Sequence, residues 1–185
     1  MRASILLIPV LLLASASVFA GGNADRVRAD ETIIVPGRGA ESIVLDSGIE
    51  EVLQSRKGET PVVTEEVSGG DVFRTVFGIR GCGPLPFTKI YYYEKSGVAV
   101  FSMKGRVCAV AGLNNRITDS GVDLQRGFEF FRFSYGNRGL YMQRRGGNTV
   151  CVYHETGIAV FDDDSDDDID LYLVFPAGLH IRKSR

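Results

Sequence analysis

The chain holds 185 residues with 21 basic and 23 acidic side chains, for a formal net charge of −2. Without a clear positive surplus, a general nucleic-acid or anionic-membrane binder is disfavoured. The length suits one ordinary domain or two small ones fused, and 11 Phe with 7 Tyr can build a core in the absence of Trp.

Residues 1–20 read as a secretory signal peptide. Arg2 precedes the apolar run SILLIPVLLLA, and Val18 and Ala20 stand at cleavage-type positions before Gly21–Gly22. The run is shorter than the ~20 residues that span a bilayer, and no later stretch is long enough. The product is therefore expected in the periplasm or secreted, with no integral membrane segment after signal removal. Loss of Arg2 leaves 20 basic residues against 23 acidic, a net charge of −3. Residues 21–33 are polar and read as a flexible N-terminus. IIVPGRGAESIVL, 33–45, reads as a turn leading into a strand, and its GRG lacks the strand–GxGxxG–helix context of a dinucleotide site.

The chain then repeats itself. YEKSGVAVF at 93–101 and YHETGIAVF at 153–161 share five of nine residues. Upstream, a shift of 79 aligns Ile43 with Val122, Leu45 with Leu124, Gly48 with Gly127, Ile49 with Phe128, Val52 with Phe131 and Ser55 with Ser134. The downstream phrases align at a shift of 60, so the first copy carries 19 extra residues, placed within 64–87. Each copy offers an extended piece, then a short amphipathic helix: Ile49, Val52 and Leu53 in one, Phe128, Phe131 and Tyr135 in the other. The helices end near Gly58 and Gly136. Strands follow: YYYEKSGVAVFSM, a turn at Lys104–Gly105 and RVCAVAGL; then NTVCVYHETGIAVF, an acidic turn and IDLYLVF. Periodicity leaves 71–79 open between helix and strand. The expected fold is α+β, with two tandem units at 34–113 and 114–178, each a short helix region packed on a small antiparallel sheet. Residues 179–185 form a basic tail.

Leu45, Gly48, Ile49, Val52, Gly58, Tyr93, Gly97, Val98, Val100, Gly105 and Val107 form a pattern that resembles the small bacterial envelope modules typified by BamE (SmpA/OmlA). A tandem pair also resembles the secreted beta-lactamase inhibitor protein architecture. The resemblance covers most of 40–176. It implies helices packed on a sheet, with the sheet or loops binding another protein. The chain departs from it in lacking a lipid-anchor cysteine, in displacing the proline after the first helix to Pro61, and in the Asp-rich turn of the second copy.

Three cysteines allow one bridge and one leftover thiol. Cys82 with Cys108 is the favoured pairing, because both lie in the first half and a Gly/Pro loop can adapt to a strand. Cys151 would then be a small buried hydrophobe. No Cys/His spacing suggests a metal site.

The most conspicuous stretch is DDDSDDDID, 162–170, with Asp162, Asp163, Asp164, Asp166, Asp167 and Asp168 in the turn. Alternating carboxylates suit a weak divalent cation such as calcium. An EF-hand is excluded, since Asp167 and Leu173 occupy the places of its Gly and Glu. The turn otherwise reads as a knob steering toward a basic protein, or simply as a solvated loop. His154 replaces Glu94 of the first copy, which suggests an exposed strand position; His180 is in the tail. Glu50 and Glu51 are a polar helix face, not an acid–base pair. No nucleophile elbow or cofactor motif is present.

Tyr92, the middle of three successive tyrosines, is expected to face out. Tyr141, Arg138, Arg144 and Arg145 lie in SYGNRGLYMQRRGGN and suit a protein contact. The reading is a non-enzymatic, exported protein-interaction or scaffolding module of the bacterial envelope, without cofactor or nucleic acid, whose partner is another envelope or secreted protein. The alternatives are an inhibitor of a secreted or periplasmic enzyme, inserting 82–87, and a hydrolase with a dispersed site around His154.

Overall fold

The computed structural model describes residues 33–79, 82, 84–113, 115–145, 147–164 and 166–179. Residues 1–32, which include the stretch read as a signal peptide, and residues 180–185 of the expected tail lie outside this set. The fold is mixed α+β. In chain order come β1 (Ile33–Val35), β2 (Gly39–Ala40), β3 (Ile43–Val44), α1 (Ile49–Ser55), β4 (Val62–Asp71), α2 (Val72–Phe77), β5 (Pro86–Tyr93), β6 (Val98–Met103) and β7 (Arg106–Leu113). Then follow β8 (Ile117–Thr118), a 3₁₀ turn at Leu124–Arg126, α3 (Phe128–Tyr135), β9 (Leu140–Arg145), β10 (Asn148–Tyr153), β11 (Ile158–Asp162) and β12 (Leu171–Val174).

The long strands form one antiparallel sheet in the order β4-β5-β6-β7-β12-β11-β10-β9. Two four-strand meanders meet through their last strands, with Val110 opposite Val174 and Ala111 opposite Leu173. The strands are thus not divided between two small sheets: β7 and β12 give each meander the hydrogen-bonding partner that an open edge would lack. A second, four-stranded sheet runs β3-β2-β1-β8, with β1 parallel to β8 and the other pairs antiparallel.

Strand alternation divides the apolar residues between two faces. Tyr91, Tyr93, Val98, Val100, Cys151, Tyr153, Val160 and Tyr172 pack with Ile49 and Val52 of α1 and with Phe128 and Phe131 of α3. Ile90, Phe101, Ala109, Ala111, Val152, Ala159 and Leu173 pack with Val72, Phe73 and Phe77 of α2. Each fully buried aromatic of this kind is worth roughly 1.5–3 kcal/mol relative to exposure. Both helices of the first face start directly after a glycine, Gly48 and Gly127. Tyr93 and Tyr153 are both fully buried on that face, and Gly97 and Gly157 both turn the chain at positive φ (65° and 76°). A Cβ on Gly157 would stand 2.7 Å from Gly37 Cα, and the Gly37 N–H donates to the Gly157 carbonyl. The GRG segment is thereby a packing element.

The undecided stretch 71–79 resolves as a strand end followed by α2. Asp71 caps that helix by accepting from the Arg74 N–H at 3.0 Å, and its other oxygen accepts from the Leu85 N–H at 3.1 Å. Gly78, left-handed at φ 66°, closes the helix.

The three cysteines are free, which corrects the expected Cys82–Cys108 bridge. Cys108 on β7 donates to the Phe101 carbonyl of the adjacent strand at 3.3 Å. Cys82 is buried among the α2-side residues, close enough to Tyr141 to perturb it. Cys151 belongs to the opposite core. Nearness in sequence between the first two thiols therefore did not translate into paired sulfurs, and burial pushes all three up to about 12.

The halves are also joined by a buried ion cluster. Glu41, 6% exposed, is held by the Arg116 guanidinium, by Arg56 at 3.8 Å and by the Tyr172 hydroxyl at 3.4 Å. Arg56 also lies 5.0 Å from the centre of the Tyr93 ring. Gly112, opposite Tyr172 on β7, leaves room for that ring: an added Cβ would meet it at 2.8 Å or less.

Candidate functional site

Two surface features meet at α3. In FEFFRFSY, Phe128 and Phe131 face the core, so Phe130 and Phe133, also three apart, fall on the outer side. Arg126 lies over the Phe130 ring at 3.7 Å. Phe133 is 86% exposed, beside a shallow cleft of about 250 Å³ lined also by Glu129, Arg132, Gly136 and Asn137. Arg132 pairs with Glu129 one turn earlier at 2.8 Å. Phe133 was not singled out in the sequence, although once 128 and 131 are assigned inward the second Phe stripe follows.

The acidic turn lies against the N-terminus of this helix. The Asp167 carbonyl accepts from the Phe128 N–H at 2.6 Å, and its carboxylate accepts from the Glu129 N–H at 2.8 Å. A carboxylate there complements the helix dipole. Within the turn, Asp162 accepts from the Asp164 N–H, Asp164 from Asp166 and Asp166 from Asp168, at 2.9–3.2 Å. Asp170 accepts from the Asp163 N–H at 2.7 Å. Buried Ile169 fixes the turn to the core. Carboxylate oxygens of Asp162, Asp164 and Asp166 lie within 4.8 Å of one another. Asp167, at φ 77°, adopts the left-handed conformation that Gly supplies in an EF-hand loop. Leu173, at the place of the bidentate Glu, is a buried strand residue. Burial, then the neighbouring acids Asp163, Asp162 and Asp164, push Asp170 up to about 6 against a hydrogen bond that lowers it. Asp164 is also raised.

The sequence-chosen contact residues do not form one patch. Val62, Tyr92, Ala99, Ala111, Leu173, Ala159, Val152 and Tyr141 make one continuous row across all eight strands. Tyr92 and Tyr141 thus share the α2 face, but six strand spacings separate them, roughly 29 Å. Tyr92 is half-buried, the most open of its three tyrosines, and the Tyr141 hydroxyl donates to Gln143 at 3.1 Å. Arg144 is exposed on the edge strand β9, three residues from Tyr141 and therefore on the other face. Arg138 pairs with Glu155 at 3.3 Å. The side chain of Arg145 lies outside the described residues. In 82–87, Cys82, Leu85 and Phe87 are turned into the core.

His154 differs from the expected exposed position. It is only 7% exposed, with ring centroids 6.2 Å from Phe73, 6.0 Å from Phe175 and 6.4 Å from Tyr141. The reason is α2, an element with no counterpart in the second half, which brings Phe73 over it. Neither ring nitrogen has a hydrogen-bond partner among the described residues, so no serine or acid is positioned for base catalysis.

Among the described residues, no helix is long and apolar enough to cross a membrane. No protein-family model matches the sequence, and no curated protein matches it closely enough to count as a relative. One solved structure, the uncharacterized protein yfeY from Escherichia coli, is similar over 76% of this chain and 98% of its own, at 10% identity and a TM-score of 0.47.

Proposed function

We propose that this is an exported, non-enzymatic docking protein of two tandem helix-on-sheet units, 34–113 and 114–178, which binds another envelope or secreted protein through the outer face of α3. The observation that carries the reading is Phe133, 86% exposed on the helix whose N-terminus bears the acidic turn. An isolated exposed Phe beside concentrated negative charge suits a partner with an apolar pocket rimmed by Lys or Arg: the ring anchors, and the carboxylates accelerate and orient the encounter. The tandem description is supported by the matched helix starts at Gly48 and Gly127, the matched Tyr93 and Tyr153, and the two meanders of four strands.

The test is capture from an envelope extract with the mature chain as bait and crosslinking mass spectrometry as readout. A partner crosslinked near α3, lost with Phe133→Ala at unchanged melting temperature and weakened by salt, supports the reading. Identical capture by wild type and Phe133→Ala refutes it.

A second reading follows from the spacing of the Asp162, Asp164 and Asp166 oxygens: the turn takes a divalent cation, with Asp170 and the Asp168 carbonyl at the remaining loop positions of a calcium-type site. Calcium would then raise the melting temperature through linkage. Asp164→Asn with Asp166→Asn should abolish that rise. An equal calcium response in this double variant would dismiss the site.

A further inference from the structure

We propose that His154 makes the hold of α2 on the sheet sensitive to acid: protonation of the imidazole releases α2 and opens the apolar row beneath it. The ring is buried in a cage of Phe73 from α2, Phe175 from the chain after β12, and Tyr141 from β9. A neutral imidazole is tolerated there, at the cost of an unmade hydrogen bond. An imidazolium carries two N–H donors and a charge, and neither nitrogen makes a hydrogen bond among the described residues. Burial, the larger influence, holds His154 below its ordinary range, and the nearby Leu179 backbone acts in the opposite direction without forming a hydrogen bond at either nitrogen.

Among the described residues, none of the surrounding titratable groups is hydrogen-bonded to the ring. Tyr141 is a phenol engaged with Gln143, raised by burial and by Cys82. Cys82 is a buried thiol pushed up to about 12, hence neutral. Asp71, which perturbs Cys82, is committed to the Arg74 and Leu85 N–H groups. Glu155, next in sequence, is exposed and paired with Arg138.

A charged His154 must reach water, and Phe73 covers it from a helix of only six residues. Displacing Phe73 uncovers Val152, Ala159 and Leu173, which lie on the same face. The window follows from the sign of the shift. Neutral His154 contributes its full stability above the unfolded value near 6.5, and that contribution is lost as pH falls through the lower folded value.

The experiment is hydrogen exchange of the mature chain between pH 7.5 and 4.5, corrected for intrinsic rates, beside the same series for His154→Phe. The expected result is an at least tenfold loss of protection confined to residues 72–79 in wild type, with increased binding of an apolar dye, and none in the variant. Protection that persists to pH 4.5, or is lost equally in both proteins, overturns the proposal. Should His154→Phe fail to fold, NMR titration of His154 in the wild type decides. An imidazole that resists protonation well below 6.5 and then titrates together with α2 exchange supports the device; one that titrates near 6.5 with α2 protected overturns it.

Discussion

The two halves of the sheet share one plan and elaborate it in different places. The first connects β4 to β5 through α2 but joins β6 to β7 by the two-residue turn Lys104–Gly105. The second joins β9 to β10 within three residues of Arg145 but spends 163–170 between β11 and β12. The additions fall on different faces: α2 covers the sheet on one side, and the acidic turn caps α3 on the other. Repeated structure fixes the frame, and what distinguishes the halves is inserted where a hairpin tolerates extra chain.

The sharpest test of the joint between halves is Arg116→Met. It leaves Glu41 buried without its main partner and should cost about 3–5 kcal/mol in urea denaturation. Replacing Glu41 by Leu in the same chain should recover most of that. Loss of signal in a single transition would show that the halves unfold together.

On α3, Phe131→Ala should cost about 3–5 kcal/mol. Phe133→Ala, two residues away, should change stability by less than about 0.5 kcal/mol. Equal costs would mean that Phe133 is packed. The matched tyrosines separate by a smaller amount. Tyr153 donates to the Gly136 carbonyl at 3.0 Å, whereas the Tyr93 hydroxyl has no protein partner among the described residues. Tyr153→Phe should cost about 1 kcal/mol, and Tyr93→Phe should be neutral or mildly stabilising.

The acidic turn should show itself in pH dependence. Asp170 has a folded value of about 6 against an ordinary 3.8, so its carboxyl stabilises the fold below 3.8 and loses that contribution as pH rises through 6. This sign is opposite to that of His154. In chelator, Asp170→Asn should make the melting temperature of the protein less dependent on pH between 4 and 6.5, a change that wild-type and variant melting curves would reveal.

Much of the frame was legible because it rests on local rules. The repeated phrases carry β5–β6 and β10–β11, the helix starts follow Gly48 and Gly127, and the Lys104–Gly105 turn has both residues left-handed, at φ 53° and 77°. The 19 extra residues fall where α2 is inserted. What escaped depends on contacts distant in sequence. Glu41 and Arg116 are 75 residues apart, and nothing local to either announces a buried pair. His154 looked exposed because its counterpart is Glu94; its burial comes from Phe73, outside the repeat. Tyr92 and Arg144 looked like members of one surface because adjacency between strands cannot be read from the strands themselves.

The Glu41–Tyr172 contact spans 131 residues, and β1 must find β8 more than eighty residues downstream. The first half therefore cannot finish assembling until nearly all of the chain is present. Closing such long loops is entropically costly before any contact rewards it, which favours slow folding. The two meanders thus share a common fate: a nascent or truncated chain ending near residue 113 would display β7 as a raw edge and leave Glu41 without Arg116. An unpaired edge strand of this kind is a template for aggregation, so the second meander also serves as the cover that keeps the first one monomeric.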